Sequence, residues 1–332
     1  LALTWALVAV YLLQTRTPGA QAVMLGAVFM VYQYAQQAAG VVSSMAAHFQ
    51  SFARMHADYG SAAPIEAAPS RAADLADEHI DAAADWQELV VDGLAWDYAA
   101  RDAAADGGER AVQGLREVGL TLRRGQRVAL VGPSGGGKST LLRVLAGLYP
   151  PSGGRLVLDG RAAEWPRLRR LATLIPQETE VFEASVRENL DFGRACADAD
   201  LHAALHVSGF DEVLAAIGGS LDTALSERGF NLSGGQRQRL CLARGVLAAR
   251  GSSLLLLDEP TSALDAATEA RVLERIAQAF PAACLVASIH RLSLLDRFDT
   301  VVLMAAGRVV DAGPRDAVLA RQPTLRTVSV PH

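Results

Sequence analysis

The chain has 332 residues, a formal net charge of −5, 51% hydrophobic content and three cysteines. That length suits two domains with an ample core, and an acidic balance without a basic block argues against nucleic acid as a partner. Cys196, Cys241 and Cys284 are far apart, fit no metal spacing or disulfide framework, and read as small buried hydrophobes in a reducing compartment.

Leu1 to Leu13 carries no charge but is shorter than the about 20 residues that cross a bilayer. It has neither the basic start nor the cleavage site of a signal peptide. It reads as the tail of a longer membrane segment whose upstream part is missing. Thr17-Pro18-Gly19 marks a turn. Ala20 to Phe49 is then free of Asp, Glu, Lys and Arg and is long enough to span a membrane. Gln33, Gln37, Gly40 and Ser44 recur at three- and four-residue spacing, on one helical face. Polar groups inside a bilayer line a bundle interior or a wet path, so this helix is expected to line a translocation pathway. An amphipathic helix packed on a soluble core is the alternative. Continued to Tyr59, it would be roughly 60 Å long.

Residues 1–59 are accordingly assigned to the end of a membrane domain. Residues 60–88, with Pro64, Pro69 and a run of acids from Asp74 to Asp85, are assigned to a linker. From residue 89 to 332, strands alternate with helices. Strands are expected at Leu89–Val91, Leu120–Leu122, Val128–Val131, Leu156–Leu158, Leu171–Ile175, Leu254–Leu257, Cys284–Ser288 and Val301–Met304. Helices are expected near Lys138–Gly147, Ala199–Ser208, Gly234–Ala249, Ala267–Ala279 and Arg315–Ala320. This pattern gives an α/β domain with a mainly parallel central sheet.

Between the strand ending at Val131 and the following helix lies Gly132-Pro133-Ser134-Gly135-Gly136-Gly137-Lys138-Ser139-Thr140. It fits the G-x-x-x-x-G-K-[ST] loop that wraps nucleotide phosphates. Backbone N–H groups and the helix dipole converge on one spot. Lys138 reaches the terminal phosphates, and the Ser139 hydroxyl ligates Mg2+. The run Leu254-Leu255-Leu256-Leu257-Asp258-Glu259 supplies the second half of an ATPase. Its leucines bury the strand and deliver Asp258 to the Mg2+ shell, and Glu259 orients the attacking water.

Asn231-Leu232-Ser233-Gly234-Gly235-Gln236-Arg237-Gln238-Arg239 resembles the signature of ATP-binding cassette (ABC) transporters. Other pieces agree in order. Ile175-Pro176-Gln177 is similar to the Q-loop, Ser262-Ala263-Leu264-Asp265 to the D-loop, Ile289-His290-Arg291 to the switch-histidine motif, and Glu227-Arg228-Gly229 to the X-loop of exporters. In the last region Ser226 stands where glycine is frequent. The resemblance covers about Leu89 to Gly313 and implies a P-loop ABC ATPase with a helical signature subdomain. The N-terminal segments resemble the end of an exporter's membrane domain fused ahead of it.

What the resemblance implies can be placed residue by residue. Tyr98 stacks on adenine, with Trp96 as the alternative. Gln177 ligates Mg2+ with Ser139 and Asp258 and senses the membrane domain. His290 holds the γ-phosphate and the water. Ser233, Gly234, Gly235 and Gln236 contact ATP bound to a second ABC subunit, and Asp265 contacts that subunit. Catalysis then falls to Glu259, His290 and Lys138, with ATP and Mg2+ as cofactors. The expected setting is the inner or plasma membrane, with the ATPase on the cytoplasmic side, a lipid bilayer and an unidentified exported substrate as further partners and no nucleic acid. Two other readings remain open: a soluble ABC-type ATPase acting as a mechanochemical switch, and a regulatory subunit that binds ATP without turnover.

Overall fold

The computed structural model describes residues 25–66, 85–98, 114–226, 229 and 231–323, together with residues 6, 9, 10, 13 and 325. The chain divides into two compact units, Leu1–Ala76 and Asp77–His332. In the first, helix α1 runs over Leu25–Glu66. It continues past Tyr59, through Gly60 and Pro64, into the segment read as a linker. A proline removes only one helical donor, and the flanking alanines favour continuation. Gln33, Gln37, Gly40 and Ser44 all lie on α1 at the expected spacing. Phe29, Met30, Tyr34, Val41, Met45 and Phe49 on the same helix are exposed. The membrane span expected over Ala20–Phe49 begins outside the described residues. Among those described, no helix is long and apolar enough to cross a membrane, because Gln33, Gln36, Gln37, Ser43, Ser44 and His48 interrupt the apolar run. The turn at Thr17–Gly19, residues 67–84 and the loop over Ala99–Gly108 also lie outside the described residues.

The second unit contains, among the described residues, strands β1 (Glu88–Asp97), β2 (Gly114–Arg123), β3 (Arg127–Val131), β4 (Gly153–Leu158), β5 (Arg161–Ala163), β6 (Ala172–Ile175), β7 (Leu254–Asp258), β8 (Cys284–Ser288), β9 (Thr300–Ala305) and β10 (Arg308–Pro314). Its helices are α2 (Lys138–Leu145), α3 (Leu168–Leu171), α4 (Val186–Asp191), α5 (Asp198–Ser208), α6 (Phe210–Ala216), α7 (Gly234–Ala248), α8 (Ala266–Ala279) and α9 (Arg315–Arg321). The central sheet has the order β10-β9-β3-β8-β7-β6. Neighbours from β9 to β6 pair in parallel, and β10 adds an antiparallel edge. The expected mainly parallel central sheet is present, and β1, β2 and β4 lie outside it. With β5 they form a separate antiparallel sheet, β2-β1-β4-β5. Hydrophobic runs identify strands but not their partners, so the sequence left this division unread.

The central strands are apolar on both faces because each face has its own core. Alternate side chains of a strand point to opposite sides. Val128 and Leu130 of β3, Leu254 and Leu256 of β7, and Cys284 and Val286 of β8 pack with the antiparallel sheet and α2. Their neighbours Ala129, Val131, Leu255, Leu257, Leu285 and Ala287 pack instead with the helical layer of α5, α6 and α7. Each fully buried leucine or valine stabilises the fold by about 1.5–3 kcal/mol. Helix starts are fixed locally. Ser185 and Glu188 form a capping box on α4, and Ser233 and Gln236 form one on α7. Asp265 caps α8 by accepting from Ala267 N and Thr268 N.

Candidate functional site

Three adjacent parallel strands end at one edge. In register, Leu130 of β3 and Asp258 of β7 both pair with Ser288 at the end of β8. Ligands in open α/β sheets bind at this carboxyl edge. The glycine loop leaves β3 there and turns into α2. Gly132 has φ 140° and Gly137, the residue capping α2, has φ 102°. A β-carbon at Gly132 would lie 2.0 Å from the Met304 carbonyl oxygen, so only glycine fits. Lys138 is buried and its Nζ donates to the carbonyls of Gly132 (2.8 Å) and Pro133 (3.1 Å). Burial holds its amine below the usual lysine range, opposed by the nearby charges of Glu259 and Asp258.

The acidic half lies alongside. Ser139 Oγ donates to Asp258 Oδ1 at 2.9 Å. Ser288 Oγ donates to the same oxygen at 3.0 Å and accepts from the Glu259 backbone N–H at 2.8 Å. Glu259 adopts φ 48°, a left-handed conformation unusual for a side-chain-bearing residue. Gln177 Nε2 donates to Glu259 Oε2 at 2.8 Å, and His290 Nε2 meets Glu259 Oε1. Ser134 to Thr140 of the expected phosphate loop, with Gln177, Glu259 and His290, thus line one open cleft of about 760 Å³, whereas Gly132 and Pro133 do not line it. Asp258 sits buried behind Ser139. Tyr98 also lines the cleft, its hydroxyl 3.1 Å from Thr140 Oγ1. Trp96 is buried and stacks on Tyr149, so Tyr98 rather than Trp96 faces the cleft.

Other expected residues stand apart from this cleft. Ser233 and Gly234 are exposed at the start of α7, where the Ser233 and Gln236 side chains satisfy each other's backbone N–H groups. Asp265 is occupied in capping α8; the N–H groups of Thr268 and Ala267 hold its carboxyl below the usual range. Gln236 and Gly235 do not line the cleft either. Glu227 and Arg228 lie outside the described residues. Cys284 is buried, its thiol pushed up to about 12, whereas Cys196 and Cys241 are half-buried.

Several residues of the site were not anticipated. Ser288 ends an otherwise apolar strand, and that lone terminal polar residue was the available signal. Arg116, Ala306 and Gly307 line the cleft because the turn between β9 and β10 packs on the phosphate loop. Gly307 N donates to Gly136 O at 3.0 Å, and Gly307 O accepts from Arg116 N at 2.9 Å. No local pattern marks that contact. Ser139, Asp258 and the Gln177 amide carry oxygens of the kind a hard cation binds; among the described residues no cluster of three or more His, Cys, Asp or Glu side chains could hold a metal ion.

Residues 115–262 match the family model described as ABC transporter. The chain carries an ABC transporter ATPase domain. It is 39% identical over 205 residues to the Beta-(1-->2)glucan export ATP-binding/permease protein NdvA of Mesorhizobium japonicum, covering 60% of this chain and 34% of that protein. It is 34% identical over 212 residues to the ATP-dependent lipid A-core flippase of Syntrophus aciditrophicus, covering 63% and 35%. The Heterocyst differentiation ATP-binding protein HepA of Nostoc is 35% identical over 212 residues, covering 63% and 35%. The match therefore spans little more than a third of these relatives. In fold, the chain superposes on a bacterial Atm1-family ABC exporter with ATP bound, with a TM-score of 0.66 and 24% identity, over 91% of this chain and 52% of that one.

Proposed function

We propose that this chain hydrolyses MgATP as the ATPase of a dimeric exporter subunit, with residues 1–59 belonging to its membrane domain, 60–88 to a linker and 89–332 to the nucleotide-binding domain. The observation that carries the reading is the carboxylate of Glu259, held by Gln177 and His290 in the cleft that the phosphate loop lines. In this role the loop N–H groups from Ser134 to Thr140 bind the phosphates, and Lys138 leaves the Gly132 and Pro133 carbonyls for the β- and γ-phosphates. Tyr98 stacks on the base. Mg2+, held by Ser139, Gln177 and Asp258, would neutralise phosphate charge. Glu259 accepts the proton of a water as its oxygen attacks the γ-phosphorus and the bond to the bridging oxygen breaks. His290 orients that water and the phosphate.

The cleft uses only some of the motifs. Ser233, Gly234, Gly235, Gln236 and Asp265 are outside it, which supports their serving ATP on a second subunit. Two chains would then close over two nucleotides, and closure would drive the membrane helices. The exposed apolar side chains of α1 and the export functions in the relatives' names support a bilayer setting, as does a structural match too extensive to lie within residues 89–332 alone.

The test is Glu259→Gln in the full-length protein. Hydrolysis should be lost with ATP binding retained; turnover left intact would remove Glu259 from this role, and ATP binding without turnover in the unaltered protein would make the chain a regulatory subunit. Specific turnover should also rise with protein concentration in the dilute regime, and a constant value would count against composite sites. Flotation with liposomes separates an exporter subunit, which floats, from a soluble switch, which does not.

A further inference from the structure

Gln238 lies on α7, within the signature segment but two residues past Gln236, and inside the protein, 4% exposed. Its side-chain amide makes three hydrogen bonds, all to one short turn. Nε2 donates to the Glu259 carbonyl at 3.1 Å and to Ser262 Oγ at 3.1 Å. Oε1 accepts from Ala263 N at 2.8 Å. That turn begins with Glu259, whose backbone is in the left-handed region. Such a conformation persists only where surrounding contacts hold it. Ser288 Oγ holds the N–H side of Glu259, and Gln238 holds its carbonyl side. Donor and acceptor of the Gln238 amide are both used, so an apolar replacement leaves Ala263 N without this partner.

We propose that Gln238 is a positioning residue that keeps Glu259 in this conformation and ties it to the signature helix. Ser233 caps the same helix that carries Gln238. A shift of α7, when Ser233 to Gln236 engage nucleotide on a second subunit, reaches Glu259 through this amide. Each site thereby senses whether the opposite one is filled. That consequence rests on the dimeric ATPase reading; the local tie to Glu259 does not.

The experiment is Gln238→Met in the full-length protein, with turnover at saturating MgATP, ATP affinity, melting temperature and amide hydrogen exchange measured together. Turnover should fall about tenfold or more. ATP affinity should stay within about twofold, since the phosphate loop is untouched. Exchange should accelerate at residues 259–263 and stay unchanged at residues 132–140. Turnover within about twofold of the unaltered protein, or unchanged exchange at residues 259–263, overturns the proposal. So does a parallel fall of affinity, turnover and melting temperature, which marks general loss of structure. Should Gln238→Met not be recovered folded, Gln238→Glu decides by the same readouts, because it keeps the acceptor for Ala263 N and loses both donors. If the unaltered protein shows no turnover, the ATPase reading falls, and exchange at residues 259–263 still decides the local tie.

Discussion

Ser288 is one hydroxyl that serves both acids of the site, which makes Ser288→Ala a sharp probe. The side chain is 1% exposed, so water cannot replace it. Its bond to Asp258 Oδ1 at 3.0 Å is to a carboxylate, a class that contributes about 1.5–3 kcal/mol. Its bond from Glu259 N at 2.8 Å satisfies a backbone donor, and leaving such a donor unpaired costs about 1–3 kcal/mol. Asp258 keeps Ser139 as a partner, which limits the loss. Together the substitution should cost roughly 3–5 kcal/mol, or about 10 °C in melting temperature for a unit of this size. Glu259 loses an anchor on its left-handed backbone, so turnover should fall by more than about tenfold while ATP affinity changes little. Thermal melting with steady-state hydrolysis and nucleotide titration reads all three quantities. A melting temperature within about 2 °C of the unaltered protein, together with normal turnover, would refute the assignment of both bonds.

Lys138→Met should abolish the thermal stabilisation that ATP confers without destabilising the nucleotide-free protein. Burial lowers the Lys138 pKa, so the unfolded chain binds that proton more tightly. The cost is fully present below the lowered pKa and is relieved as pH rises from it toward the ordinary value of 10.5. The variant should flatten stability against pH across that alkaline window, as followed by denaturant melts. Gly307→Ala would put a methyl group 1.9 Å from the Gly114 carbonyl oxygen at a residue with φ 74°. The turn must then withdraw from Gly136, and ATP affinity should fall about tenfold or more by titration; unchanged affinity would show that the turn does not support the phosphate loop.

Local chemistry made much of this protein legible in its sequence. Glycine at 132 and 137 is dictated by backbone conformation, and the polar ends of β7 and β8 follow from where an apolar strand meets a site. The leucine run of β7 told that both its faces are covered, but not by what. Tertiary structure alone decided that β1, β2 and β4 leave the parallel sheet, because strand pairing depends on partners distant in the chain. It also decided between Tyr98 and Trp96: two residues apart, they share one face of an extended strand, so alternation cannot separate them, and only the packing of Trp96 against Tyr149 leaves Tyr98 on the cleft. Gly307 and Gln238 were unreadable for the same reason. Each acts through backbone groups of a remote segment, and a hydrogen bond to a main-chain atom leaves no mark on the side chain of the residue that receives it.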